Sequence, residues 1–235
     1  GLDFKLDDWH NEIASLKNEF PNEKEITNTE FVNPISLLKS ISEEALRPII
    51  YNVDVGSHQM WAAQSLMFKE GDRFLTSGGM GSMGFALPAA IGASIESKKG
   101  IIAIIGDGSF QMNIQELQTI VRLNLDIKII IINNNSLGMI RQFQDTYFES
   151  RYIGTKWGYS APDFCKIANA YKINSKKISN DSEIHDAVKW LFKDAKPRLL
   201  EVIVSSELNV YPKIAFGRTM DQMEPEFSSN QMEST

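Results

Sequence analysis

From residue 33 onward the apolar residues fall into two kinds of run. Some are unbroken and rich in isoleucine; others recur every three or four positions. Residues 101–105 and 127–132, the latter interrupted only by Lys128, are continuously apolar without alternation, as a parallel strand covered on both faces requires. Residues 49–55 and 199–204 predict two more strands. Between these runs, Ile35, Leu37, Leu38, Ile41 and Leu46 predict a helix over 34–46. Ser57 stands as the N-cap of a second helix reaching Met67. A glycine-rich stretch, 77–84, opens a small-residue helix over 86–93. Ile114, Leu117, Ile120 and Val121 share one face of a helix over 113–123, and two more helices are predicted at 161–171 and 183–192. Strands separated by helices mean an α/β fold, a doubly wound, mostly parallel sheet with helices on both faces. Residues 33–212 form the expected domain. Residues 1–32 read as a linker or lead-in from a preceding domain, with one amphipathic stretch around Trp9, Ile13, Leu16 and Phe20. The polar residues of 213–235 read as a C-terminal arm or tail.

Composition narrows the function classes. The 235 residues are 43% hydrophobic and carry a net charge of −6, with acidic and basic residues interspersed. No clustered basic face exists, so no nucleic-acid partner is expected. The single cysteine, Cys165, excludes an internal disulfide and a cysteine metal cluster, and reads as a buried structural thiol at a helix start. The three histidines, His10, His58 and His185, are too scattered for a histidine metal site. No apolar run is long enough to span a bilayer, and the N-terminus lacks a signal-peptide pattern. A cytoplasmic protein without membrane contact is the expectation.

The candidate chemistry sits where two predicted strands end. In open parallel sheets, ligands bind beyond the carboxyl ends of strands. One end reads Ile105-Gly106-Asp107-Gly108-Ser109 and the next reads Ile132-Asn133-Asn134-Asn135-Ser136. The glycines let backbone approach a bulky anion, and amides near a helix start favour phosphate. A carboxylate there repels phosphate unless a cation lies between them. Asp107, the Asn134 amide oxygen and a backbone carbonyl form a hard, oxygen-only set suited to Mg²⁺ or Ca²⁺, with diphosphate oxygens completing the shell. Each site taken alone also fits an ordinary Asx-capped turn.

Together, Gly106-Asp107-Gly108 and the following Asn133-Asn134 resemble the signature of thiamine-diphosphate enzymes. The segments 56–64, 76–92, 137–143 and 162–164 extend the resemblance to the C-terminal, diphosphate-binding domain of acetolactate synthase (acetohydroxyacid synthase) over roughly 33–204. The resemblance implies thiamine diphosphate and Mg²⁺ as cofactors, with Asp107 and Asn134 as side-chain metal ligands and Ser136 giving its backbone carbonyl. It places Ser57, His58, Gly106, Gly108 and Ser109 around the diphosphate, and Gly81 and Met83 at the aminopyrimidine. Met83 is the expected apolar wedge beneath the cofactor, and Leu137, Gly138 and Met139 line its thiazolium side. Met83 and Met139 are thus the catalytic candidates, although both also fit plain core packing. His58 equally fits a helix cap or a solvent-facing imidazole.

The implied reaction is decarboxylation of a 2-oxo acid and transfer of the resulting two-carbon unit to a second 2-oxo acid. The implied partner is a pyrimidine-binding domain, of the same or a neighbouring subunit, within a homodimer or tetramer. FAD is implied only for a middle domain that nothing in this chain resembles, and the chain by itself is expected to be inactive. Phe143 stands where such synthases usually carry Trp, and Ser57 where many carry Gln, which leaves the acceptor open. The alternatives are a thiamine-diphosphate-dependent decarboxylase or carboligase with another acceptor, and a non-catalytic cofactor-binding module. A nucleotide-binding Rossmann protein lacks support, because the Gly-x-Gly-x-x-Gly fingerprint is missing after the first strand.

Overall fold

The computed structural model describes residues 6–19, 30–46, 48–219 and 222–224. Six strands form one parallel sheet: β1 (Ile49–Val53), β2 (Arg73–Thr76), β3 (Gly100–Gly106), β4 (Ile127–Asn133), β5 (Asn174–Ile178) and β6 (Arg198–Ile203), in the order β2-β1-β3-β4-β6-β5. The helices are α1 (Asp7–Glu19), α2 (Pro34–Glu44), α3 (Ser57–Ser65), α4 (Ala86–Glu96), α5 (Asp107–Phe110), α6 (Leu117–Arg122), α7 (Gly138–Tyr147), α8 (Phe164–Ala170) and α9 (Ile184–Leu191). A two-stranded antiparallel pair, β7 (Lys213–Ile214) with β8 (Met223–Glu224), follows.

The period-2 geometry of the central strands splits their side chains between two cores. On one face Tyr51, Val53, Ile102, Ile104, Ile130, Ile132, Leu200 and Val202 meet α2, α3 and α9 through Leu38, Trp61 and Leu191. On the other, Ile101, Ala103, Ile105, Ile129, Ile131 and Leu199 meet α4, α6 and α8 through Leu87, Ile120 and Phe164. Every residue of β3 and β4 is buried, which accounts for apolar runs without alternation, broken within β4 only by Lys128 before its terminal Asn133. Lys128 lies within β4 with its ammonium on Asp126 (2.6 Å) and the carbonyls of Asp194 (2.6 Å) and Lys196 (2.7 Å). That charge is satisfied at the end of the sheet away from the loops described below.

Several local readings need correction. Ser57 is the first helical residue of α3, and Gly56 holds the cap position without a side-chain cap bond. That helix ends at Ser65, short of Met67. The 113–123 segment is a 3₁₀ turn at Ile114–Glu116 running into α6, and α8 begins only at Phe164, with the Asp163 carboxylate accepting from the Lys166 amide. The strands β2 and β5 went unpredicted because they lie at the sheet edges, half-exposed and mixed in polarity. The Cys165 thiol is half-buried rather than buried. The N-terminal amphipathic stretch is helix α1, with Trp9 and Leu16 exposed; Phe20 lies outside the described residues, as does most of 220–235. No helix among the described residues is long and apolar enough to cross a membrane.

Ile130 sits mid-sheet with no exposed surface, so Ile130→Ala should cost about 2–5 kcal/mol of stability. Urea unfolding should show a lower midpoint with an unchanged slope. A midpoint equal to that of the native chain would contradict the two-sided core.

A candidate cofactor site at three strand ends

The winding of the chain reverses next to β1. From β1 it moves outward to β2, then crosses back to place β3 on β1's other side. The loops after β1 and β3 therefore leave the sheet toward opposite faces and open a crevice between them. Register adds the β4 loop: Val53 pairs with Ile104, and Gly106 with Ile132. A cavity of about 220 Å³ lies at these three ends. It is lined by every residue that the resemblance assigns to cofactor or metal: Ser57, His58, Gly81, Met83, Gly106, Asp107, Gly108, Ser109, Asn134, Ser136, Leu137, Gly138 and Met139.

Glycines determine how closely these groups converge. A Cβ on Gly106 would lie 2.8 Å from His58 Cε1, and one on Gly138 would lie 2.6 Å from Asn134 Nδ2 and 2.7 Å from Ser57 Oγ. A Cβ on Gly108 would meet Leu137 Cδ2 at 2.8 Å, Met83 Cε at 3.3 Å and the Tyr159 hydroxyl at 3.3 Å. Asn134 and Ser57 therefore close on the bare backbone of Gly138, and Met83 and Leu137 on that of Gly108.

The electrostatics suit a cation beside an anion. Asp107 is 2% exposed, and burial pushes its carboxyl up to about 6. A Tyr159 hydrogen bond (3.0 Å) and the amides of Asp107, Gly108 and Ser136 pull the other way. The Asn134 Oδ1 accepts from the Ser136 amide at 3.2 Å, across a turn whose Asn135 has a φ of 48°. The Ser57 Oγ and His58 Nε2 are buried in the cavity wall without a hydrogen-bond partner. Orphaned polar atoms beside a buried carboxylate are costly unless a ligand meets them. This donor set fits a hard cation carrying an anionic ligand.

Two organising residues had no role in the sequence reading. Asp54, fully buried just past β1, accepts from the amides of Val55 (2.9 Å), Gly84 (2.9 Å) and Ala86 (2.8 Å). One carboxylate thereby fastens the glycine loop carrying Gly81 and Met83 to the strand end carrying Ser57 and His58. Gly84 adopts a φ of +86°, open to glycine at little cost. An acidic residue ending an apolar strand was the available signal, the same one that marked Asp107. Tyr159 had none, since its reach to Asp107 depends on the 148–163 loop. That loop is fixed by the Thr155 carbonyl, which accepts from the Leu137 amide (3.0 Å) and the Ser136 hydroxyl (3.0 Å).

His58 is neither a solvent-facing imidazole nor a cap. It is 5% exposed, and burial lowers its pKa to about 4, with Asp54 opposing through its charge and a backbone hydrogen bond. A folded-state pKa below the usual 6.5 means the fold keeps this contribution above pH 6.5 and loses it as pH falls toward 4. Stability by urea titration should fall by about 1.4 kcal/mol per pH unit from this group across that window. His58→Gln should flatten the slope; an equally steep slope in the variant would rule out His58 as its source.

Comparison with known proteins agrees with this geometry. Residues 54–202 match the family model described as thiamine pyrophosphate enzyme, C-terminal TPP binding domain. The chain is 40% identical to the acetolactate synthase large subunit of Cyanidium caldarium over 221 residues, 92% of this chain and 36% of that protein. It is 38% identical to the large subunit of Lactococcus lactis over 219 residues, 93% of this chain and 38% of that protein. The chain thus spans little more than a third of these relatives. Among solved structures, the thiamine diphosphate-dependent 4-hydroxybenzoylformate decarboxylase of Rhodococcus jostii RHA1 shares the fold. Its TM-score is 0.68 at 24% identity, over 77% of this chain and 34% of that one. With more than half of its residues inside the family model, the chain belongs to the C-terminal, TPP-binding domain family of thiamine pyrophosphate enzymes.

Proposed function

We propose that this chain is the diphosphate- and metal-binding part of an acetolactate synthase-like enzyme, acting on 2-oxo acids with thiamine diphosphate and Mg²⁺. One observation carries the reading: Asp107, Asn134, Ser136 and the orphaned Ser57 hydroxyl line a single cavity at adjacent strand ends. In this reading Asp107, Asn134 and the Ser136 carbonyl hold the metal, while Ser57, His58, Gly106, Gly108 and Ser109 surround the diphosphate. When bound, thiamine diphosphate supplies the nucleophilic carbon and the electron sink for breaking and making the bond beside a 2-oxo acid's carbonyl.

The chain's own residues supply placement. Met83 and Leu137, within reach of Gly108's bare backbone, are apolar walls of the cavity and exclude water from the reacting groups. Asp54 keeps the Met83 loop at a fixed height over Gly108. Gly81 and Met139 complete the wall, and Met139 opens toward solvent beside Ile140 and Phe143 on α7. These exposed apolar side chains support the further reading that a pyrimidine-binding domain, from the same or a neighbouring subunit, closes the site within a homodimer or tetramer.

Calorimetric titration of the chain with thiamine diphosphate, with and without Mg²⁺, tests the assignment. Binding should require the metal. Asp107→Ala should weaken it by at least the roughly 10–100-fold that loss of an outer-shell partner costs a metal site. Equal, metal-independent binding by both proteins would refute the proposed site.

Gly138→Ala separates binding from folding. Alanine favours a helical position over glycine by up to about 1 kcal/mol, yet its Cβ would press on the Asn134 amide and the Ser57 hydroxyl. The expected result is a melting temperature within a few degrees of native and a cofactor affinity reduced at least about tenfold. Unchanged affinity would show that Asn134 and Ser57 do not meet the ligand.

A further inference from the structure

Behind the Asn134 turn lies a second cavity, of about 470 Å³, lined by Asn133, Asn134, Asn135, Lys177 and Glu201 among others. The rear of the turn therefore faces open space rather than packed core, and polar bonds must set its shape. Asn133, the last residue of β4, supplies them. Its Oδ1 accepts from the Asn135 amide at 2.9 Å, and its Nδ2 donates to Glu201 Oε1 at 2.9 Å. Glu201 lies on β6, 1% exposed, opposite Ile131 in the sheet register. Lys177, its neighbour on β5, places Nζ 3.1 Å from Oε2. Asp163 and Cys165 each bring a ligand-type atom within 4.8 Å of the Glu201 carboxylate, but the Lys177 ammonium already provides the cation there.

The chemistry of these groups has a direction. An ionised carboxylate only accepts hydrogen bonds, whereas a primary amide donates at one end and accepts at the other. Glu201 therefore forces the Asn133 Nδ2 toward itself and leaves Oδ1 for the Asn135 amide. That bond holds Asn135 at a φ of 48° and closes the turn presenting Asn134 and Ser136 to the first cavity. We propose that Glu201 is a positioning residue: by fixing which way the Asn133 amide points, it sets the metal-binding turn from behind. The inference rests on the functional reading given above, and it adds a residue that touches neither cofactor nor metal.

The test exchanges donor and acceptor. Wild type, Asn133→Asp, Glu201→Gln and the Asn133→Asp/Glu201→Gln double variant of the full 235-residue chain are titrated with thiamine diphosphate in Mg²⁺ at about pH 8, where free carboxylates are ionised, and their melting temperatures recorded. Glu201→Gln keeps an acceptor for Asn133, and Lys177, 43% exposed, can turn to water; its affinity should stay within about threefold of wild type. Asn133→Asp alone sets two carboxylates face to face and should lose about tenfold or more. In the double variant the introduced glutamine amide can donate to the introduced aspartate carboxylate, and affinity should return to within about threefold of wild type. A merely structural role predicts variants whose melting temperatures shift while the affinity of the folded chains does not. A double variant binding no more tightly than Asn133→Asp overturns the proposal. So does a folded Glu201→Leu chain that binds like wild type; should that chain fail to fold, the donor–acceptor exchange decides alone. Absence of Mg²⁺-dependent binding in wild type would instead strike the functional reading itself, and this inference with it.

Discussion

The structure depends on the parallel, in-register pairing of β1, β3 and β4. Parallel strands deliver all their carboxyl ends to one edge of the sheet. Pairing of Val53 with Ile104 and of Gly106 with Ile132 then leaves Ser57, Asp107 and Asn134 no other place to be. These residues are far apart in sequence and none could find the others through local preference. Pairing is in turn enforced by burial, because a one-residue slip would exchange the side chains meeting the two cores. In this sense the candidate site is a consequence of where Ile104, Ile131 and Ile132 must point.

Burial also explains why polar residues do the fine positioning. Loops at the end of a buried sheet have backbone amides that must be satisfied without water. Asp54 satisfies three, from two loops, with one carboxylate. The Thr155 carbonyl takes two donors from the 136–137 corner. Each such group is expensive to bury unpaired and therefore specifies a single arrangement when paired. Ser57 Oγ and His58 Nε2, lacking partners in the cavity wall, are exceptions to this pattern, and they lie where a diphosphate is proposed to sit.

How much of this was legible in the sequence follows from the same physics. The central strands were readable because two-sided burial writes itself as isoleucine without alternation. The half-exposed β2 and β5 are written in mixed polarity, as Arg-Phe-Leu-Thr and Asn-Ser-Lys-Lys-Ile, and were missed. Helix α7 was not read as a helix: its buried face is polar, with Arg141 bonded to Asp145 and the Leu208 carbonyl, and Gln142 bonded both ways to the Val210 backbone. The strand-end motifs stood out because glycine beside a carboxylate is unusual after a buried strand. Tyr159 and Glu201 were invisible, since each acts through a loop or strand partner whose position only the assembled sheet defines. The Ser57 cap failed for a local reason, the helix beginning one residue earlier than the side chain could serve.

The cavity's lining combines two kinds of chemistry, and this bears on what it can hold. Its lining includes an acid, an amide and a hydroxyl, and also Met83, Leu137 and Met139. A ligand that meets both kinds of wall must carry charge on one part and an apolar or flat surface on another. An inorganic phosphate would leave the methionines idle, and an apolar ligand would leave Asp107 and Ser57 unpaired at the cost that buried polar groups carry. The glycines at 108 and 138 bear on the same point, because side chains there would press on Leu137 and Met83 at the one and on Asn134 and Ser57 at the other. A diphosphate joined to an aromatic ring system meets both demands at once. No catalytic step enters into this match between ligand and cavity: it follows from which walls are polar, which are apolar, and where the backbone has been left bare.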